Sequence, residues 1–152
     1  RCSCAAAAAA PPPRPPPWAC GASACSPSWA CDVASSAVVP LYVFLGGGLG
    51  SVLRWGVGQA LHPWGTVTVN IVGSALLAFL AHPNMGLSTP VKAFACVGLM
   101  GGFTTYSTFN LELLAALQDG PRSQALVLVA VTVLGALLAG AAGWALAGWV
   151  TR

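Results

Sequence analysis

Gly98-Leu99-Met100-Gly101-Gly102-Phe103-Thr104-Thr105-Tyr106-Ser107-Thr108-Phe109 sets glycines, hydroxyls and aromatic rings inside an otherwise apolar stretch. Glycine weakens a helix through backbone entropy, and hydroxyls weaken it by competing for backbone hydrogen bonds. The flanks, reaching from Pro90 to Leu117, are long enough for a bilayer. In lipid every freed N–H or C=O needs a partner, so irregular backbone survives only inside protein or beside a wet cavity. The stretch therefore predicts a spanning helix broken at membrane depth. Such a break points to an ion or substrate site.

Composition places the whole chain in the same solvent. Of its 152 residues, 57% are hydrophobic and 6% are charged, whereas about a quarter of a soluble domain is charged. The net charge of +3 comes from six scattered basic residues, with no basic stripe for nucleic acid. A phosphate-binding glycine–lysine loop and an HExxH pair are both missing from the sequence. Asp32, Glu112 and Asp119 are its only acidic residues, which leaves little for paired-carboxylate catalysis. The chain reads as a non-enzyme.

Two regions follow. Residues 1–37 begin with Arg1 and run through Ala5–Ala10, Pro11–Pro13 and Pro15–Pro17. This low-complexity composition cannot build a core, and it is read as a disordered tail or a misplaced start. The alanine-only run with prolines directly behind it is a poor signal peptide. Cys2, Cys4, Cys20, Cys25 and Cys31 lack the C-x2-C spacing of a zinc site. Cys96 sits alone in an apolar segment and reads as a small buried hydrophobe.

Residues 38–152 form the second region, an all-α integral membrane domain of four transmembrane helices. The spans are predicted near 38–61, 66–81, 90–117 and 123–150. Pro63, Pro83, Pro90 and Pro121 all fall at the breaks between them, where proline costs least. Trp55, Trp64 and Trp149 fall near predicted interfaces. Gly46 and Gly50 form a small-xxx-small pair on the first helix, and such pairs let backbones approach closely. Four thin helices bury little alone, so self-association is expected. Arg14, Lys92 and Arg152 fall on one side of this layout and Arg54 and Arg122 on the other. A charge bias this small permits insertion in both orientations and pairing of inverted copies.

Polar residues at depth mark the candidate path. Thr66, Asn70 and Ser74 are spaced by four and share one helix face. An asparagine amide can donate two hydrogen bonds, which suits an anion; interhelical glue is the plainer alternative. Tyr106 and Phe109 lie three apart, and their positive ring edges can pass an anion without trapping it. Ser107 and Thr108 add hydroxyl donors. Arg54 can line a vestibule that gathers anions, with Glu112 near the end of the third segment. The first two segments carry no carboxylate, which argues for passive conduction over proton-coupled export.

Three motifs carry a resemblance. Gly46-Gly47-Gly48-Leu49-Gly50-Ser51-Val52-Leu53-Arg54, Gly65-Thr66-Val67-Thr68-Val69-Asn70-Ile71-Val72-Gly73-Ser74 and Gly101-Gly102-Phe103-Thr104-Thr105-Tyr106-Ser107-Thr108-Phe109 resemble, in order, motifs of the Fluc (CrcB) fluoride channels. The resemblance spans roughly residues 38–150. It implies an antiparallel, dual-topology dimer in the plasma membrane with two pores, each lined by both subunits, exporting fluoride to lower its toxicity. It implies Asn70 as the pore asparagine and Tyr106 and Phe109 as the aromatics contacting fluoride. Tyr106 stands where the family usually carries phenylalanine. It implies a structural Na+ at the dimer axis, held by the backbone carbonyls of Gly101 and Thr104, and a pore hydroxyl from the fourth helix, here Thr132. The alternatives are a non-conducting subunit of a heterodimeric fluoride channel and a small four-helix multidrug or cation exchanger. The exchanger would need a first-helix carboxylate.

Overall fold

The computed structural model describes residues 38–152; the expectations for residues 1–37 lie outside the described residues. Helix α1 (Val39–Ala60) is followed by α2 (Gly65–Ala81) and a 3-10 turn (Pro83–Met85). Helix α3 (Thr89–Lys92) runs on without interruption through a π-helical segment (Ala93–Met100) into α4 (Gly101–Phe103). Then come α5 (Tyr106–Asp119) and α6 (Arg122–Val150). No strand occurs among the described residues. The all-α reading holds, and the four apolar segments lie within two residues of their expected limits.

At about 1.5 Å per residue, the 29 residues of α6 reach about 44 Å and the 17 of α2 about 26 Å. Among the described residues only α6 is by itself long and apolar enough to cross a hydrocarbon core of about 30 Å, with α2 a shorter apolar helix. Helix α1 has the length, but six glycines and Arg54 dilute its hydropathy. The third segment is divided between two helices.

Helix ends follow local sequence. Pro40 sits in the first turn of α1 and Pro90 in the first turn of α3, where a missing N–H costs nothing. Pro121 precedes α6 in extended geometry. His82 closes α2: its Nδ1 accepts from the Asn84 N–H at 3.3 Å. Its ring meets Trp144 of α6 edge-on at 4.7 Å between centroids. The buried imidazole thus ties the loop after α2 to α6.

Two close seams hold the bundle. In the first, α1 packs against the 89–103 helix with backbone against backbone. Gly46 faces the Phe94 carbonyl and the backbone of Gly98 and Leu99. One turn on, Gly50 faces the Leu99 carbonyl and the Phe103 N–H, while Gly102 abuts Gly47. A side chain at Gly46, Gly50, Gly98 or Gly102 would overlap main-chain atoms, which cannot swing away. Without a hydrophobic drive between helices in lipid, contact of this closeness supplies the attraction through dispersion. In the second seam α2 lies along α6, with Gly143 against the backbone of Ala75 and Gly135 against the Ile71 side chain. The outer faces of α1, α5 and α6 leave large apolar residues exposed, among them Phe44, Leu111, Leu137 and Leu138.

Gly50→Val is expected to destabilise the fold by about 3 kcal/mol, the upper end for overpacking, because its new atoms meet backbone on both sides. Gly48→Ala, which meets nothing within 4 Å, is expected to stabilise by up to about 1 kcal/mol through helix propensity. Thermal midpoints in detergent micelles compare the two.

Candidate functional site

Helical geometry stops at Phe103 and resumes at Tyr106. Thr104 (φ −80°, ψ 154°) and Thr105 (φ −150°, ψ 121°) are extended. Two extended residues within a helical segment strip their neighbours of regular partners, and the structure shows where those bonds go. Asn70 of α2 takes both groups of Thr105: its Nδ2 donates to the Thr105 carbonyl at 2.9 Å, and its Oδ1 accepts the Thr105 N–H at 2.8 Å. One side chain does here what a neighbouring strand does in a sheet.

The Thr105 side chain starts the next helix. Its Oγ1 accepts the Thr108 N–H at 3.3 Å, the bond of an N-cap. The same hydroxyl donates to Thr108 Oγ1 at 3.0 Å, with Ser107 Oγ at 3.4 Å as a second neighbour. On the other side of the break, Thr104 turns inward: its N–H and its Oγ1 both donate to the Met100 carbonyl, at 3.0 and 2.9 Å.

Two cavities flank this knot. The first is an open groove of about 700 Å³ between α2, the break, α5 and α6. Asn70, Ser74, Tyr106, Phe109 and Thr132 all line it. Phe109 is 4% exposed and fixed, whereas Tyr106 is 75% exposed at the groove's open side. Their rings lie 5.9 Å apart at 41°, close enough to present edges along one surface. Thr132 contributes a buried hydroxyl with no hydrogen-bond partner among the described residues. An unpartnered buried hydroxyl costs about 1–3 kcal/mol, so its retention in an apolar helix needs a reason.

The second cavity, about 340 Å³, lies beyond the break between α1, α2 and α5. Its lining is about half polar: Ser51, Arg54, Gln59, Thr66, Thr108 and Glu112 contribute, together with Thr105, beside the apolar Trp55 and Val69. The buried Thr66 hydroxyl donates to the Glu112 carboxylate, joining the start of α2 to the middle of α5. A guanidinium and a carboxylate therefore share one chamber.

The sequence-read residues are thus divided between two chambers. Asn70, Tyr106, Phe109 and Thr132 meet in the groove; Arg54, Glu112 and Thr108 meet in the polar cavity. Thr66 and Ser74, expected on one face with Asn70, line the cavity and the groove respectively. Ser107 is exposed and reaches the knot only through Thr105. Gly101 opens α4, and Thr104 is the first extended residue of the break. The amide of Asn70, read as offering two donors, has one N–H beyond the bond to Thr105. Thr105 itself was not singled out from sequence. The signal available was only the general preference for threonine at an N-cap, because Thr108 stands where a capping box would carry Glu or Gln.

Residues 41–144 match the family described as CrcB-like protein, Camphor Resistance (CrcB). The chain is 40% identical over 122 residues to a fluoride-specific ion channel FluC of Pectobacterium carotovorum, covering 73% of this chain and 94% of the relative. It is 40% identical over 116 residues to the protein of the same name in Rhizobium meliloti, covering 70% and 93%. A third of that name, from Marinobacter nauticus, is 40% identical over 114 residues, covering 68% and 90%.

Asn70→Ala frees both the N–H and the C=O of buried Thr105. Its expected cost is about 2–6 kcal/mol, the sum of two unpaired buried groups. Thr132→Val keeps the shape and removes the unpartnered hydroxyl, so it is expected to stabilise by about 1 kcal/mol. Unfolding of the two variants in the same detergent reads both signs.

Proposed function

This chain belongs to the CrcB-like family, and we propose that it is a passive, fluoride-selective channel that exports fluoride across the plasma membrane and so lowers its cytoplasmic concentration. The family is one of membrane ion channels, not enzymes. The observation that carries the reading is the convergence of Asn70, Tyr106, Phe109 and Thr132 on one groove, in a chain 40% identical to fluoride-specific channels along nearly their whole length.

The physical logic begins outside the protein. Hydrogen fluoride is a small neutral acid that crosses lipid and ionises inside. The trapped anion is pushed outward by a negative interior, at about 2.3 kcal/mol per charge per 100 mV. What the protein must supply is a path that replaces fluoride's tightly held water without trapping the ion. The groove offers the second N–H of Asn70, the hydroxyls of Tyr106 and Thr132, and the rings of Tyr106 and Phe109, whose edges carry the positive end of the ring quadrupole. No full positive charge lines it among the described residues, so an ion is held weakly enough to leave. Arg54 in the polar cavity attracts anions to the entrance, and Glu112 beside it limits how tightly they bind. Chloride, larger and a poorer hydrogen-bond acceptor, gains less from the same donors.

The groove is open on one side, where Tyr106 is exposed, and a second, inverted copy would close it. The near balance of basic residues between the two faces supports such a dual-topology dimer. In this arrangement the Thr104–Thr105 break lies at membrane depth, and four spans put both ends of residues 38–152 on one side. The sodium ion of the family fits the break. A continuous helix would give the Gly101 carbonyl the Thr105 N–H and the Thr104 carbonyl the Thr108 N–H. Those donors go instead to Asn70 Oδ1 and Thr105 Oγ1. Carbonyls so freed suit a hard cation, which when bound would supply fixed positive charge at the subunit axis.

Liposomes loaded with fluoride and carrying the purified full chain are expected to release it when the membrane potential is clamped, and liposomes loaded with chloride to retain theirs. Equal release of both ions, or of neither, would sink the reading. Asn70→Asp keeps an acceptor for the Thr105 N–H but loses the donor to the Thr105 carbonyl and places a carboxylate at the groove. It is expected to abolish fluoride efflux and to lower the thermal midpoint, and its efflux is read on the fraction that elutes as assembled protein.

A further inference from the structure

The groove and the polar cavity have one residue in common, Thr105. Thr105 is therefore the wall the two chambers share, and the direct way from one to the other runs beside it. Thr105 is 6% exposed, so it occupies the partition itself and not a rim. Its main chain cannot yield, because Asn70 holds the N–H and the C=O together. Those bonds also mean that neither backbone group is available to a passing ion. What remains adjustable is the side chain, and its only donor is the hydroxyl hydrogen.

That hydrogen is placed to move. It is donated to Thr108 Oγ1 at 3.0 Å, and Ser107 Oγ stands at 3.4 Å as an alternative acceptor. Rotation about one bond swings the hydrogen between partners, while the oxygen goes on accepting the Thr108 N–H that caps α5. The hydroxyl can thus serve an ion without uncapping the helix. Thr108, which receives the hydrogen in the resting arrangement, lines the polar cavity.

We propose that the Thr105 hydroxyl is the handover contact between the two chambers. It releases Thr108 Oγ1 and donates to fluoride as the ion crosses the partition, then returns its hydrogen to Thr108 behind it. This rests on the fluoride-channel reading above. The contact favours fluoride over chloride, because a compact anion is the stronger acceptor of a single hydroxyl in a buried position.

The test is fluoride efflux from proteoliposomes carrying the full chain, beside size-exclusion and thermal-midpoint controls. Thr105→Ser keeps the hydroxyl and the cap, and is expected to conduct fluoride at close to the wild-type rate. Thr105→Val keeps the shape without the donor and is expected to slow fluoride about 10- to 100-fold, the effect of one lost hydrogen bond to a charged partner. Should Thr105→Val fail to assemble through loss of the cap, Thr105→Asp takes its place. Aspartate caps helices well but gives the ion no donor, and it is expected to abolish efflux. Wild-type rates in an assembled Thr105→Val or Thr105→Asp protein overturn the handover contact while leaving the channel intact. Absence of efflux from the wild type overturns the channel reading on which it rests.

Discussion

The clamp of Asn70 on Thr105 is the constraint from which the rest follows. A chain can leave helical geometry inside an apolar bundle only if the orphaned N–H and C=O find partners. Here one amide side chain meets both needs at 2.8 and 2.9 Å. With those bonds made, Thr105 can stay extended and its hydroxyl can cap the following helix. Helix α5 then sets off in a new register, carrying Tyr106 and Phe109 toward α6 and Thr108 and Glu112 toward α1. The two chambers are consequences of this one exchange.

The glycine seam serves the clamp from the other side. With α1 pressed onto the 89–103 helix at Gly46 and Gly50, the segment leading into the break has little freedom to slide. The π-helical stretch from Ala93 to Met100 sits within this contact. Its i+5 bonding gives a wider turn than an α-helix, and such segments are rare and often lie beside functional sites. The break is thus held between a backbone contact with α1 and a side-chain contact with α2.

Much of this was legible in the chain, for identifiable reasons. Apolar runs separated by prolines mark helix limits because membrane length and proline chemistry are both local constraints. Asn70 was legible as a residue with a task, since an amide at such depth must bond something. What it bonds was not legible: the partner lies 35 residues away, and only the rotation of α2 against the third segment brings them together. The same holds for Thr66 and Glu112, 46 residues apart. Gly98 and Gly102 were read as helix weakeners; their place against Gly46, Gly47 and Gly50 depends on which helices pair, which periodicity does not encode. Thr132 could be picked as a lone hydroxyl on the fourth helix, but its lack of a partner is a property of the packed bundle.

The seam between α1 and the third segment has an evolutionary corollary. A leucine core can drift through isoleucine, methionine and valine, trading shape for shape. Glycine has no such neighbours: every coding change at Gly46, Gly50, Gly98 or Gly102 adds at least a Cβ carbon, and each of those carbons meets main chain. Nor can the opposite wall compensate by shrinking, because it is already bare backbone. This face of the molecule is frozen by geometry, and innovation in the lineage must come from the outward faces and the chamber linings.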